Sequence, residues 1–289
     1  MQVDNAIIMA AGTASRFAPI SYEKPKALIK VKGEILIERQ IRQLREAGID
    51  EIIIVTGYKA EQFEYLKEKF GVILVYNPEF LTRNNNGSIF AVRKYLKNSY
   101  ICSSDNYFLY NPFNDKEEES YYSSIYINGK TDEWCIKEKN TWIEDVKIGG
   151  YNSWIMLGHV FWTSHFSKKF LSILEEEYNK LETIDKLWEA IYIEHIKELP
   201  LKIKKYPNDY IFEFDTLDEL REFDSIYYNK TESYILQKCA KELFIEEKDI
   251  INIKAFKGKN NAAIGFTFYV GEKKYKYYYN TQRIGREDE

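Results

Sequence analysis

The sequence predicts an α/β fold: a mixed, mainly parallel sheet, an antiparallel insertion and a small α+β appendage at the C-terminus. Three observations predict it. Apolar runs and helix-period segments alternate over the first hundred residues, as in βαβ units whose sheet is covered on both faces. Between about residues 120 and 162 the pattern changes to short strands divided by polar turns. A fresh helix-then-strand pattern starts after Tyr228-Asn229-Lys230-Thr231.

Ala6-Ile7-Ile8-Met9 is an apolar run that ends in a glycine turn, and it reads as the first strand. Leu36, Ile37, Ile41 and Leu44 recur at helical spacing over 36–47, and Gly48 stands where a capping glycine would. Residues 51–57 read as a buried strand and turn, 60–70 as a helix, 72–76 as a third strand, 88–96 as a helix and 100–102 as a fourth strand. The insertion supplies short strands at 123–127, 142–143 and 158–162. Amphipathic helices follow at 166–181 and 186–196, then strands at 201–206 and 211–214 and a closing helix at 217–223. Past the boundary come a helix over 231–243, a strand at 250–253, a Gly258-Lys259-Asn260-Asn261 turn, and strands around 266–270 and 274–279. The expected division is therefore 1–229 and 230–289, with the second piece near the lower size limit for independent folding.

A chain of 289 residues holds one large domain or two ordinary ones. Its 45% hydrophobic and 30% charged content is that of a globular enzyme and excludes a disordered chain. A net charge of −4 argues against nucleic acid or an anionic membrane as partner. No apolar run approaches the ~20 residues of a membrane span. The N-terminus lacks a basic region, so no signal peptide is expected. Cys102, Cys135 and Cys239 are widely spaced and form neither a metal pattern nor a disulfide framework, which fits the cytoplasm. The sequence specifies no oligomeric state.

Chemistry concentrates in a few segments. Ala10-Ala11-Gly12-Thr13-Ala14-Ser15-Arg16-Phe17 follows the first strand, with Lys24-Pro25-Lys26-Ala27-Leu28 close behind. A glycine turn there leaves backbone N–H groups to face an anion, Arg16 has the fork for phosphate oxygens, and Lys26 is a point charge. The string matches neither the Walker A nor the GxGxxG order; alone, Gly12 would be a plain turn and the cations solvated. Asp105, straight after the fourth strand, occupies the strand end where open α/β sheets handle ligands, and can hold Mg²⁺ against a triphosphate or cap an Asx-turn. In Ile211-Phe212-Glu213-Phe214-Asp215-Thr216, alternation on a strand puts Glu213 and Asp215 on one face, where a cation would relieve their repulsion. The alternative is that Asp215 or Thr216 caps the helix at Leu217. The loop Thr82-Arg83-Asn84-Asn85-Asn86-Gly87-Ser88 offers amides for a pyrimidine edge, with Ser88 also a candidate N-cap. Of the five tryptophans, Trp162 reads as core; Trp134, on a polar stretch, is the better candidate for a quaternary ammonium. His159, His165 and His195 show no metal spacing, and His195, near Glu194, reads as a partly exposed structural residue.

These residues resemble the signature of the nucleotidyltransferases that activate sugar phosphates and alcohol phosphates. Within that superfamily the chain is most similar to the bacterial CTP:phosphocholine cytidylyltransferases, over about residues 5–228. The matching stretches include Gly57-Tyr58, Tyr76-Asn77, Asn84-Asn85 with Ser88, Asp105-Asn106-Tyr107, Glu133-Trp134, Phe161-Trp162, Leu187-Trp188 and Glu213-Phe214-Asp215. The resemblance implies a Rossmann-like fold that transfers CMP from CTP to phosphocholine with Mg²⁺. It implies that Ala10, Ala11, Gly12 and Thr13 cradle the triphosphate, that Arg16 holds its outer phosphates, and that Lys26 holds the α-phosphate and the acceptor phosphate. It places Mg²⁺ on Asp105 and Asp215 with help from Glu213, cytosine on Asn84 and Ser88, and the trimethylammonium on Trp134 and Trp188 beside Glu133. Ser103-Ser104, Leu187 and Asn86-Gly87 depart from the family pattern. The thinner aromatic cage, with Asp132, Glu133 and Glu189 as carboxylates, keeps phosphoethanolamine or 2-aminoethylphosphonate open as acceptor. A sugar-phosphate nucleotidyltransferase and a non-catalytic nucleotide-binding subunit are the remaining alternatives. The segment from Thr231 resembles the N-terminal edge of choline/ethanolamine kinases. No kinase catalytic-loop His-x-Asp follows in the sequence, so no kinase activity is expected from these residues.

Overall fold

The computed structural model describes residues 1–258 and 263–286. The chain divides into two compact units, one of Met1–Gly12 with Leu36–Glu213 and one of Thr13–Ile35 with Phe214–Glu289.

The first unit carries nine strands: β1 (Asn5–Ala10), β2 (Ile52–Thr56), β3 (Ile73–Tyr76), β4 (Ser99–Ser103), β5 (Asn106–Phe108), β6 (Tyr121–Lys139), β7 (Trp142–Trp162), β8 (Lys202–Lys205) and β9 (Ile211–Glu213). Seven of them form one mixed sheet in the order β8-β6-β7-β4-β1-β2-β3. β1 is parallel to both β2 and β4, and β2 is parallel to β3. β7 runs antiparallel to β4 and β6, while β8 is parallel to β6. β2 is buried along its whole length, as an apolar run without alternation requires under helices on both faces. β5 and β9 pair separately, antiparallel, with Asn106 opposite Glu213. This is the mixed, mainly parallel sheet with an antiparallel insertion that the sequence predicts.

Helices α1 (Leu36–Glu46), α2 (Tyr65–Phe70), α3 (Asn86–Ala91), α4 (Ser164–Glu177) and α5 (Trp188–Glu194) flank this sheet in sequence. α1 ends before Gly48, whose φ of +80° is the left-handed conformation that glycine adopts without cost. Thr163 caps α4 by accepting the Phe166 N–H at 3.2 Å. Two expected helices are shorter than the periodicity suggests. The segment at 60–70 breaks into a 3₁₀ turn (Ala60–Phe63) and α2, and that at 88–96 into α3 and a second 3₁₀ turn (Arg93–Tyr95).

The insertion differs most from expectation. The three short strands are parts of two long ones, β6 and β7. Gly129, Gly149 and Asn152, in the stretches between the expected short strands, all have positive φ and lie within these long strands. The pairing shifts register between Ile127 and Lys130 and between Thr131 and Trp134. The breakers are thus absorbed as bulges, and the turn itself is Asn140-Thr141, both at positive φ as a two-residue hairpin demands.

The second unit contains a two-residue hairpin (Lys30–Val31 with Glu34–Ile35), helices α6 (Leu217–Phe223) and α7 (Tyr234–Leu243), and an antiparallel sheet. The sheet strands are β10 (Ile251–Lys257), β11 (Ala263–Val270), β12 (Lys273–Tyr278) and β13 (Arg283–Arg286), in that order. The expected 258–261 turn lies, from Lys259 on, outside the described residues, and β13 was not legible in advance. Thr216 and Glu219 close α6 with a capping box. Arg221, 1% exposed, is held by the carbonyls of Tyr227, Glu247 and Ile250 and by Asp218. Tyr22 stacks on Tyr279 with centroids 3.6 Å apart, and Glu23 accepts from the Ser233 hydroxyl and the Ile235 N–H. Among the described residues no helix is long and apolar enough to cross a membrane.

Candidate active site

In the first unit, β1 ends at Ala10, and Ala11 and Gly12 continue from its carboxyl end. The Ala11 carbonyl accepts the Tyr58 N–H at 3.0 Å. This approach needs a glycine at 57, since a Cβ there would lie 2.8 Å from that carbonyl oxygen and 2.6 Å from the Phe80 Cβ. Around Gly12 the space is open: nothing lies within 4 Å of where a Cβ would sit.

Asp105 occupies the turn between β4 and β5, at the carboxyl end of β4. Its carboxylate accepts the Ser103 hydroxyl at 2.5 Å, so the serine in the departing Ser103-Ser104 pair orients the acid that follows it. Gln40, buried on the inner face of α1, fixes the same turn by donating to the carbonyls of Ser103 (2.8 Å) and Asn106 (2.9 Å). The one signal for Gln40 in the sequence is its place as a polar residue inside the apolar stripe of an amphipathic helix. Glu213 accepts the Asn106 side-chain amide at 3.2 Å. Asp105, in the turn, therefore directly precedes Asn106, the strand position paired with Glu213. β9 closes at Glu213, so strand alternation does not extend to Asp215. Among the described residues no three His, Cys, Asp or Glu side chains group to hold a metal. Mg²⁺ shared with a triphosphate needs only one or two protein carboxylates, and Asp105 with Glu213 fits that chemistry.

The loop at 82–88 is braced against the segment before α5. Asn84 donates to the Asp185 carbonyl at 2.9 Å, and Asn86 donates to the carbonyls of Thr183 (2.9 Å) and Lys186 (2.5 Å). Ser88 lies inside α3 and accepts from Asn77; the position before the helix is Asn85, so Ser88 is not the N-cap. Asn85 accepts the Trp188 N–H at 2.7 Å and donates to Glu189 at 3.1 Å.

Asn85, but not Asn84 or Ser88, lines a 150 Å³ cavity together with Ser103, Tyr122, Gly158, Trp188, Glu189 and Glu213, among others. Trp188 is 1% exposed, stacks on Tyr122 at 5.8 Å, and its indole N–H has no hydrogen-bond partner among the described residues. Burial pushes the Glu189 carboxyl up to about 7, against the hydrogen bonds from Asn85 and Tyr122 that favour its charged form. Trp134 and Glu133 do not line this cavity: Trp134 is half-buried on β6 against the core, and Glu133 is exposed. Trp162 is fully buried, as read. His195 bridges Glu177 (3.3 Å) and Glu198 (3.1 Å) in a structural role.

In the second unit, three charges that the sequence singled out separately form one cluster. Asp215 pairs with Arg16 at 2.7 Å and lies 3.9 Å from the Lys26 ammonium. Lys26 is 7% exposed and sits over the Phe17 ring, while most of the Arg16 side chain is in solvent. Thr216, the true cap, leaves the Asp215 carboxylate available to these cations.

Comparison with known proteins places the chain in a family. Residues 6–110 match the model of the MobA-like NTP transferase domain. The chain is 36% identical over 226 residues to a choline-phosphate cytidylyltransferase of Streptococcus pneumoniae, covering 78% of this chain and 99% of that one. It is 33% identical over 228 residues to a 2-aminoethylphosphonate cytidylyltransferase of Lancefieldella rimae, covering 77% of this chain and 93% of the other. A solved structure of the Streptococcus pneumoniae CTP:phosphocholine cytidylyltransferase superposes with a TM-score of 0.75 at 35% identity, over 78% of this chain and 99% of that one.

Proposed function

The chain belongs to the choline-phosphate cytidylyltransferase family of nucleotidyltransferases, and on that premise we propose that it transfers CMP from CTP to phosphocholine in the cytoplasm. The observation that carries the acceptor reading is the cavity with two aromatic walls, Tyr122 and Trp188, and two carboxylates, Glu189 and Glu213. Aromatic faces and a carboxylate beside them attract an ammonium that cannot donate hydrogen bonds. An oxygen of the acceptor phosphate attacks the α-phosphorus in line; the new P–O bond forms as the bond to the β-phosphate oxygen breaks, and pyrophosphate leaves. The protein's share of the work is positioning and charge neutralisation. Arg16 holds the outer phosphates and Lys26 the α-phosphate and acceptor phosphate, while Ala10, Ala11, Gly12 and Thr13 present backbone to the triphosphate. Asn84 and Ser88 belong to the segment that reads cytosine. Asp105, Asp215 and Glu213 are the carboxylates for Mg²⁺, which supplies positive charge against the triphosphate when bound. Trp188 is the acceptor contact within the cavity; Trp134 and Glu133, expected beside it, lie outside that lining.

A second reading has a specific support. Glu189 and Glu213 accept hydrogen bonds, which a primary ammonium can supply and a quaternary one cannot. This favours 2-aminoethylphosphonate or phosphoethanolamine, and a relative at 33% identity is named for the first. The test is pyrophosphate release from CTP and Mg²⁺ with phosphocholine, phosphoethanolamine, 2-aminoethylphosphonate and glucose-1-phosphate. The highest kcat/KM is expected for phosphocholine. Preference for a primary amine selects the second reading, preference for glucose-1-phosphate removes both, and CTP binding without turnover of any acceptor makes the chain a nucleotide-binding subunit.

A further inference from the structure

We propose that Glu189 is the specificity-determining counter-ion that reads the acceptor's positive charge, and that Asn85 is the positioning residue that holds it. This rests on the reading of the cavity as an acceptor pocket. Glu189 lines the cavity from the first turn of α5, with Asn85 on one carboxylate oxygen and the Tyr122 hydroxyl on the other, at 3.1 and 3.4 Å. Both donors are neutral, so the carboxylate has hydrogen bonds but no paired cation among the contacts that define it. A buried carboxylate in that condition gains strongly from a bound cation. The geometry also explains why an asparagine precedes α3. One amide spans two elements, taking the Trp188 N–H on its oxygen and giving its N–H to Glu189. The aromatic wall and the carboxylate are thereby fixed by a residue in the loop assigned to the nucleotide.

The ligand chemistry is an ammonium two carbons from a phosphorus oxyacid, and the experiment separates its charge from its shape. Phosphocholine is compared with 3,3-dimethylbutyl phosphate, in which carbon replaces nitrogen, and 2-aminoethylphosphonate with propylphosphonate. The readout is pyrophosphate release from CTP. Wild type is expected to favour one charged acceptor over its uncharged partner by about tenfold or more in kcat/KM; the pair that does so identifies the source of the ammonium. Glu189→Gln is expected to raise KM for the charged acceptor by about that factor, leave KM for CTP unchanged and abolish the preference. Glu189→Asp should restore part of it, and Asn85→Ala should weaken the preference with a smaller rise in acceptor KM. Glu189→Gln with wild-type discrimination overturns the proposal. If that variant does not fold, equal turnover of charged and uncharged acceptors by the wild type overturns it as well. Turnover of neither charged acceptor by the wild type brings down the functional reading itself, and this inference with it.

Discussion

Gly12 follows the first strand with open space over its α-carbon and a φ outside the left-handed region. An alanine therefore fits the protein itself, and any harm it does belongs to a ligand that needs close backbone approach. Gly12→Ala is expected to keep the wild-type Tm while raising KM for CTP several-fold; a lowered Tm with unchanged KM would make Gly12 a turn residue only. Asp105 supports a complementary prediction. It is half-buried and held by Ser103, so Asp105→Ala should leave the fold intact and lower kcat by about a hundredfold or more, the scale of losing one group that stabilises transition-state charge. An unchanged kcat removes the proposed metal site. Arg16, Lys26, Asp105 and Asp215 could be singled out in the sequence because charged residues just past strand ends carry a recognisable chemistry. The bracing roles of Gln40 and Asn85 could not. Their partners lie 63 to 66 and 103 to 104 residues away, and a neutral amide announces nothing about which distant groups it will bind.

At the scale of elements, the parallel half of the sheet was legible because β1 and β2 are uninterrupted apolar runs. The β6–β7 ribbon was not, because its glycines and asparagines imitate turns and only the partner strand turns them into bulges. α1 shows what a helix contributes beyond packing. Its inner face carries two glutamines: Gln40 ties down the Asp105 turn, and Gln43 binds the Phe108 carbonyl at 3.1 Å, farther along the chain. Leucine at 40 takes that donor from the Ser103 and Asn106 carbonyls and should cost roughly 1–3 kcal/mol in stability; leucine at 43 should cost less, because Arg39 also donates to the Phe108 carbonyl. Only Gln40→Leu should also lower kcat, since only it frees the turn bearing the proposed catalytic carboxylate. Equal kcat in the two variants, measured at a temperature where both are folded, would show that the Asp105 turn holds its shape without α1.

For the whole molecule, the compact units set where stability can be read. The second gathers Thr13–Ile35, with Arg16 and Lys26, together with Phe214–Glu289. The first holds all five tryptophans, so tryptophan emission follows the unfolding of that unit alone. Its largest electrostatic liability is Glu189, whose carboxyl burial raises from 4.5 to about 7, in a cavity shared with Glu213 and Tyr122. The folded state then keeps a proton that the unfolded chain has already lost, and unfolding releases it between these two values. Stability from this group is therefore greatest below pH 4.5 and falls as pH rises through about 7, by roughly 3 kcal/mol in all. Glutamine carries no charge to bury and can still accept from Asn85. Glu189→Gln should thus match or trail the wild type at about pH 5, exceed it at about pH 8, and give a melting curve with less pH dependence between them. Saturating ammonium acceptor, by pairing with the charged carboxylate, should stabilise the wild type more than the variant at pH 8. Melting curves for the two proteins that shift in parallel with pH would mean that Glu189 is ionised in the folded protein without penalty, and that its burial is relieved by a group other than the acceptor.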